Sequence, residues 1–329
     1  MSILVLGGAG YIGSHAVYQL IDQHVEVIVV DNLQTGHKDA IHPMAKFYEG
    51  DIRDKAFLKE VFEKEHIDGV IHFAANSLVG ESMINPIKYF DNNVYGTQVV
   101  LDVMKEYNVN KIVFSSTAAT YGDQKVMPIT EEAATIPTNA YGETKLAMEK
   151  LMKWCDKAYG IKYVALRYFN VAGARATGEI GEDHHPETHL IPVVLQVALG
   201  QREHISIFGE DYDTQDGTCI RDYIHVEDLI DAHILALHYL QNDGESNVFN
   251  LGSSRGFSVK EIVEAVREVT GHPIPAKVEG RRAGDPGSLV ASSEKAKHVL
   301  GWNPKRTSIQ EIIEHAWKWH LSNPKGYTN

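Results

Sequence analysis

Tyr141 and Lys145, in the run Tyr141-Gly-Glu-Thr-Lys145, stand four residues apart. On a helix that spacing puts a phenol and an ammonium on one face. Such a pair can move a proton, provided the phenol is tuned. An ordinary tyrosine has a pKa of about 10, too high for a base at neutral pH. The nearby ammonium and a second cation, such as the ring of a bound nicotinamide, both favour the phenolate. A downward shift of ~3 units needs about 4 kcal/mol of differential stabilisation. Alone, the pattern fits a solvated surface helix better. It gains weight beside Ser115-Ser116-Thr117, where Thr117 or Ser116 can hydrogen-bond a reacting hydroxyl, and beside a glycine loop near the start.

That loop is Gly7-Gly8-Ala9-Gly10-Tyr11-Ile12-Gly13. It follows an apolar run and precedes a helical pattern, the setting in which a helix N-terminus receives a diphosphate. Asp31 ends the next apolar run, where a carboxylate accepts hydrogen bonds from ribose hydroxyls and repels a 2′-phosphate. NAD is therefore favoured over NADP. Asp51-Ile52, after the third strand, can meet adenine through the carboxylate and the apolar side chain.

The elements that must position these residues alternate. Strands are expected at 3–6, 25–30, 47–49, 70–73, 112–114 and 163–166, and helices at 11–23, 56–64, 86–107 and 140–159. Continuous apolar strands between amphipathic helices predict a doubly wound parallel α/β sheet of Rossmann type. After about residue 170 the pattern loosens into polar loops suited to a substrate lobe, with helices expected at 226–240, 258–270 and 308–321. A strand at 247–251 can return to the first sheet. The expected division is 1–170 for the dinucleotide and 171–329 for the substrate.

The chain of 329 residues carries a net charge of −13, which argues against a general nucleic-acid or anionic-membrane binder. Two cysteines, Cys155 and Cys219, imply no disulfide framework and fit a reducing, cytosolic setting. The N-terminus reads as a buried strand, and no apolar run approaches the ~20 residues that span a bilayer. Among 17 histidines, His184, His185 and His189 share one polar loop, but no Cys/His spacing matches a zinc pattern, so no metal is expected.

With Arg167-Tyr-Phe-Asn170 and Arg221-Asp-Tyr-Ile-His225 added, the motif set resembles the extended short-chain dehydrogenase/reductases, and more narrowly the UDP-glucose 4-epimerase group among them. The similarity runs from residue 2 to about 327. It implies an isomerase with tightly held NAD, a UDP-sugar lobe and a homodimer. By that resemblance Tyr141 takes a proton from the sugar 4-hydroxyl and Thr117 orients the hydroxyl, while Lys145, beside the phenol, can hydrogen-bond the nicotinamide ribose. Gly7, Gly10, Tyr11, Ile12, Gly13, Asp31, Asn32, Asp51, Ile52, Phe73, Ala74, Ala75, Asn92 and Phe169 match NAD positions. Asn170, His189, Leu190, Phe208, Arg221, Tyr223, Arg282 and Asp285 match UDP-sugar positions. Arg221 and Arg282 can pair with a diphosphate, Phe208 can pack on uracil, and Asp285 can bind ribose.

Three positions depart from the family pattern. Ser77 stands where a lysine near the nicotinamide is frequent, His189 where asparagine is frequent, and Leu289 where some members have a tyrosine that crowds the sugar's 2-substituent. The smaller Leu289 suggests room for UDP-N-acetylhexosamines. Rival readings are a nucleotide-sugar dehydratase or decarboxylase, a UDP-uronic acid 4-epimerase, an oxidoreductase that releases its cofactor each turn, and an NAD-sensing scaffold. The first needs an acid after the threonine, and Ala118 and Ala119 cannot serve.

Overall fold

The computed structural model describes residues 1–282 and 286–328. The first half alternates β1 (Ser2–Leu6), α1 (Tyr11–Asp22), β2 (Glu26–Asp31), β3 (Lys46–Glu49), α2 (Lys55–Lys64) and β4 (Gly69–His72). Next come α3 (Val79–Ile84), α4 (Pro86–Tyr89), a π-helical turn (Phe90–Tyr95), α5 (Gly96–Glu106), β5 (Lys111–Thr117), α6 (Ala140–Tyr159) and β6 (Lys162–Tyr168). The second half has β7 (Asn170–Ala172), α7 (Leu190–Ala198), β8 (Ile205–Phe208), β9 (Ile220–His225), α8 (Val226–Gln241) and β10 (Asn247–Leu251). It closes with β11 (Gly256–Ser258), α9 (Val259–Thr270), β12 (Ala276–Glu279), β13 (Ser288–Leu289), α10 (Glu294–Leu300) and α11 (Ile309–Ser322).

Among the described residues, seven strands form one sheet in the order β10-β6-β5-β4-β1-β2-β3. Each neighbouring pair is parallel. This is the doubly wound Rossmann arrangement, and its order reverses between β1 and β4. The β1 and β2 sequences, Ser-Ile-Leu-Val-Leu and Glu-Val-Ile-Val-Val-Asp, are apolar on both faces because helices cover both. Val17 and Leu20 of α1, Leu229 and Leu237 of α8, and Trp302 close one face. Leu58 of α2, Val103 of α5 and Met148 and Met152 of α6 close the other.

Smaller sheets carry the rest. β9 lies between β11 and β13 and also pairs with β7, while β12 pairs with β8. Their core joins Val194 and Leu195 of α7, Tyr223 of β9, Ile262 of α9 and Ile313 of α11. These short strands, and α7, lie in the stretch that the sequence presents only as loops between shorter elements. The helix expected over 86–107 is not uniform: it passes through the π-helical turn at Phe90–Tyr95. Asn139 caps α6 by accepting the Gly142 N–H, and Gly160 ends it in the left-handed conformation.

Three buried histidines are held neutral. His15, His72 and His233 each bond through one ring nitrogen, to Tyr11 O, Thr97 Oγ1 and Leu229 O respectively. Their other ring nitrogens are buried without a partner. Burial pulls the three pKa values down to about 4, about 3 and about 4, below the ordinary 6.5. A histidine whose folded pKa is depressed contributes stability above its unfolded pKa and loses it as pH falls through the folded value. The melting temperature is therefore expected to drop steadily from about pH 6.5 to about pH 4. Circular dichroism melts across that range check it, and a constant melting temperature would overturn the assignment.

Candidate active site

The loops and strand ends following β1, β4, β5 and β6 border one cavity of about 520 Å³. Its floor depends on close backbone approach. Gly7 has φ of +80°, and a Cβ there would lie 2.6 Å from Ala74 N. A Cβ on Gly13 would lie 2.0 Å from Gly7 O. No side chain caps α1 at Gly10, so the positive helix end faces the cavity lined by Gly10, Tyr11, Ile12 and Gly13. That cradle fits a diphosphate. Asp31, at the end of β2, accepts N–H groups from Ala9 at 2.9 Å and Leu33 at 2.8 Å. Burial nevertheless pushes its pKa up, with both N–H groups working against it.

Gly7, Asn32, Ile52, Phe73, Ala74, Ala75, Asn92 and Phe169 also line the cavity, as does Ser77. Asp51 does not. Its carboxylate is taken by the Arg53 guanidinium at 2.8 and 2.9 Å and by Asn32 at 3.0 Å, which holds its pKa well below the usual carboxylate range. The π-helical turn seats Asn92 on the cavity wall and buries Asn93. Asn93 bonds both the N–H and the carbonyl of Asn76, fixing the loop after β4.

Tyr141, Thr117 and Lys145 meet at this cavity. The strand period decides between the serine and the threonine: Ser115 and Thr117 face the cavity, while Ser116 points the other way and donates to buried Glu149. Lys145 Nζ donates to the Ser115 carbonyl at 2.8 Å and lies 5.9 Å from the Tyr141 ring centroid. It makes no hydrogen bond to the phenol in this arrangement. Burial pulls Lys145 down to about 7, with Glu149 opposing. Enclosure pushes Tyr141 up to about 12, with the Thr117 hydrogen bond opposing. The expected phenolate relies on two cations, the lysine and a bound nicotinamide ring; with the lysine as the only one, burial dominates the phenol.

Glu149 extends the pattern one turn further. Its carboxylate accepts Arg167 Nε at 3.0 Å and Nη2 at 2.5 Å, with both side chains buried. Arg167 also lies over the Tyr121 ring, and Tyr121 bonds Asn250 of β10 at 2.7 Å. This network underlies the face of α6 that carries Tyr141 and Lys145.

Of the residues expected to hold the UDP-sugar, Asn170, His189 and Arg221 line the cavity, and so does Leu289. Arg221 is oriented by the carbonyls of Ile220 and Pro286, each at 2.9 Å. Leu190, Phe208, Tyr223 and Arg282 are not part of the lining. Tyr223 is buried in the core of the second half. Arg282 lies 3.9 Å over the Phe208 ring. Asp285 falls outside the described residues.

Sequence reasoning missed Glu182 and His184, which also line the cavity. Glu182, His184, Glu187 and His189 converge, with ligand-capable atoms all within 4.8 Å of one another. The signal was the run Glu182-Asp-His-His-Pro-Glu-Thr-His189, whose acidic members the search for Cys/His spacing passes over. Burial pulls both histidines down, but the two carboxylates outweigh it and lift His184 to about 9 and His189 to about 10.

A profile described as the NAD dependent epimerase/dehydratase family matches residues 3–252. The chain belongs to this family. NAD is accordingly its cofactor, and the glycine cradle, the uncapped helix end and Asp31 fit that group. The chain is 62% identical over 328 residues to a UDP-glucose 4-epimerase of Halalkalibacterium halodurans, covering 100% of this chain and 98% of the relative. It superposes on a UDP-glucose 4-epimerase of Brucella ovis in complex with NAD at a TM-score of 0.94, with 46% identity, covering 96% and 97% of the two chains. A UDP-glucose 4-epimerase of Bifidobacterium longum in complex with NAD+ and UDP gives a TM-score of 0.93 at 41% identity, covering 99% and 100%. Among the described residues no helix is long and apolar enough to cross a membrane.

The buried ion pair yields a direct test. Arg167→Met strands the Glu149 charge and is expected to cost ~3–5 kcal/mol. The double variant Arg167→Met/Glu149→Leu should recover most of that loss. Denaturant titration of the two variants measures both, and equal stabilities would contradict the assignment.

Proposed function

We propose that the chain catalyses the reversible 4-epimerisation of UDP-glucose and UDP-galactose. The observation that carries this reading is the meeting of Tyr141 and Thr117 in the same cavity as the glycine cradle, with only Ala118 and Ala119 following the threonine. The names of the relatives support the UDP-sugar. Residues 1–170, with the strand at 247–251, hold NAD in this reading, and 171–329 supply the UDP-sugar side. Gly10 to Gly13 hold the NAD diphosphate, Asp31 its adenosine ribose, and Lys145 the nicotinamide ribose. Arg221 and Asn170 bind the UDP-sugar.

NAD, when bound, supplies a hydride acceptor for sugar C4 and a positive ring charge that favours phenolate. Tyr141 then removes the proton from the 4-hydroxyl oxygen, and Thr117 orients that oxygen through its own hydroxyl. The 4-keto sugar turns its other face before reduction, and Tyr141 returns the proton. There is no net redox change, so the reaction is an isomerisation. Alanines at 118 and 119 offer no acid for elimination, which favours this outcome over dehydration. The two free, buried cysteines suit a cytosolic setting.

The test is incubation of the purified protein with UDP-galactose and no added cofactor, with UDP-glucose followed by chromatography. Conversion is expected. Tyr141→Phe should lower the rate by ~10²–10⁴-fold while the NAD content stays unchanged. UDP-N-acetylglucosamine should also turn over, since Leu289 stands on the cavity wall. No conversion of UDP-galactose even with added NAD would move the assignment to UDP-uronic acids.

A homodimer is part of the same proposal. Ile84 and Ile87 are 87% and 80% exposed beside Met83 and Phe90, and Trp154 and Tyr159 are exposed on α6. These apolar side chains suit pairing of α3, α4 and α6 across two copies. Light scattering should give the mass of two chains for the native protein and of one for Ile87→Asp. A monomeric native protein would refute it.

A further inference from the structure

The four side chains that converge beside Tyr11 form a donor set of two imidazoles and two carboxylates. His189 Nδ1 lies 2.9 Å from Glu182 Oε1 and 3.0 Å from Glu187 Oε1. His184 Nδ1 lies 3.2 Å from Glu182 Oε1 and 3.5 Å from Glu187 Oε2. A tetrahedral ion bound at ~2.0–2.2 Å to four donors holds those donors about 3.3–3.6 Å apart. The His184 separations match such edges, and those of His189 are a few tenths of an ångström shorter, with Glu187 meeting the two imidazoles through different oxygens. Metal-free ion pairing explains the arrangement less completely. His184 Nδ1 is buried in the cluster and makes no hydrogen bond there, although two carboxylates flank it.

The donors are also fixed from outside. Glu187 Oε1 accepts the backbone N–H groups of Thr188 at 2.7 Å and His189 at 2.8 Å. His189 is the residue that opens α7. His184 stands edge-on to Tyr11, whose hydroxyl is tied to the Gly173 carbonyl at 2.6 Å. Outer contacts of this kind orient metal ligands and their lone pairs.

We propose that Glu182, His184, Glu187 and His189 bind one zinc-class divalent cation at the cavity wall, tying the 182–189 loop to the start of α7. Imidazole with carboxylate suits zinc and its first-row neighbours rather than magnesium or calcium, which prefer all-oxygen sites. Two carboxylates neutralise the ion's charge. Four protein donors close a tetrahedral shell, so the role is structural and leaves no open position for chemistry. The site does not depend on which sugar the enzyme takes.

The test uses the NAD-loaded protein, stripped with a chelator, dialysed, incubated with zinc chloride and desalted. Metal is counted by mass spectrometry, and a parallel cobalt(II) sample is read for tetrahedral visible bands. Wild type should retain about one zinc per chain and melt at a higher temperature with zinc than without. His184→Gln and Glu187→Gln should lose the retained zinc, the cobalt bands and the thermal shift. His315→Gln, in the separate group formed by His225, Glu227 and His315, should keep all three. Absence of retained zinc in wild type, wild-type retention in a folded His184→Gln, or loss in His315→Gln would overturn the proposal. If Glu187→Gln fails to fold, His184→Gln decides the matter, because its side chain is partly exposed.

Discussion

The cavity-side face of α6 depends on how that helix is fastened to β5 and β6. Tyr141, Lys145 and Glu149 follow at successive turns of one helix face. Lys145 is tied to a β5 carbonyl, and Glu149 holds Ser116 of β5 and Arg167 of β6. Those bonds fix where the phenol of Tyr141 reaches the cavity. They also create the dry surroundings that lower the lysine's pKa and raise the tyrosine's. The same enclosure that positions the phenol therefore opposes its ionisation. In the proposed reaction the positive nicotinamide is the partner that reverses the balance, so the phenol would stay inert without the cofactor.

The strand beneath the helix separates two kinds of polar chemistry by its pleat. Ser115 and Thr117 reach the cavity side, whereas Ser116, between them, enters a buried ion-pair network. Three adjacent hydroxyls thus serve two environments without competing. The network itself is polar, buried and fully engaged, which is the condition under which such groups define one arrangement.

Much of this was legible in the sequence because it rests on local periodicity. The strand at Ser2–Leu6, the glycine turn, the strand ending at Asp31 and the face shared by Tyr141 and Lys145 all follow from patterns within a few residues. What stayed hidden depends on distant partners. Asn32, from the end of the neighbouring strand, joins the nearby Arg53 on the Asp51 carboxylate. The π-helical turn at Phe90–Tyr95 has no simple signature, yet it sets Asn92 and Asn93 in place. Strands of two or three residues, such as Ser288–Leu289, are too short to show alternation. Glu182 and His184 join the cavity only because a long loop folds back across it. The balance of burial against charge at Tyr141 could be read only from coordinates.

One feature of the topology bears on the order in which the protein is made. β10 completes the edge of the main sheet beside β6, with Asn247 opposite Val164. Between them the chain makes β7, α7, β8, β9 and α8, and α8 packs beneath the same sheet. During synthesis the ribosome must release residue 251 before the first sheet can close. Until then β6 presents an unpaired edge and part of one face lies bare. That interval is the one in which a nascent chain of this architecture most needs shielding from its neighbours.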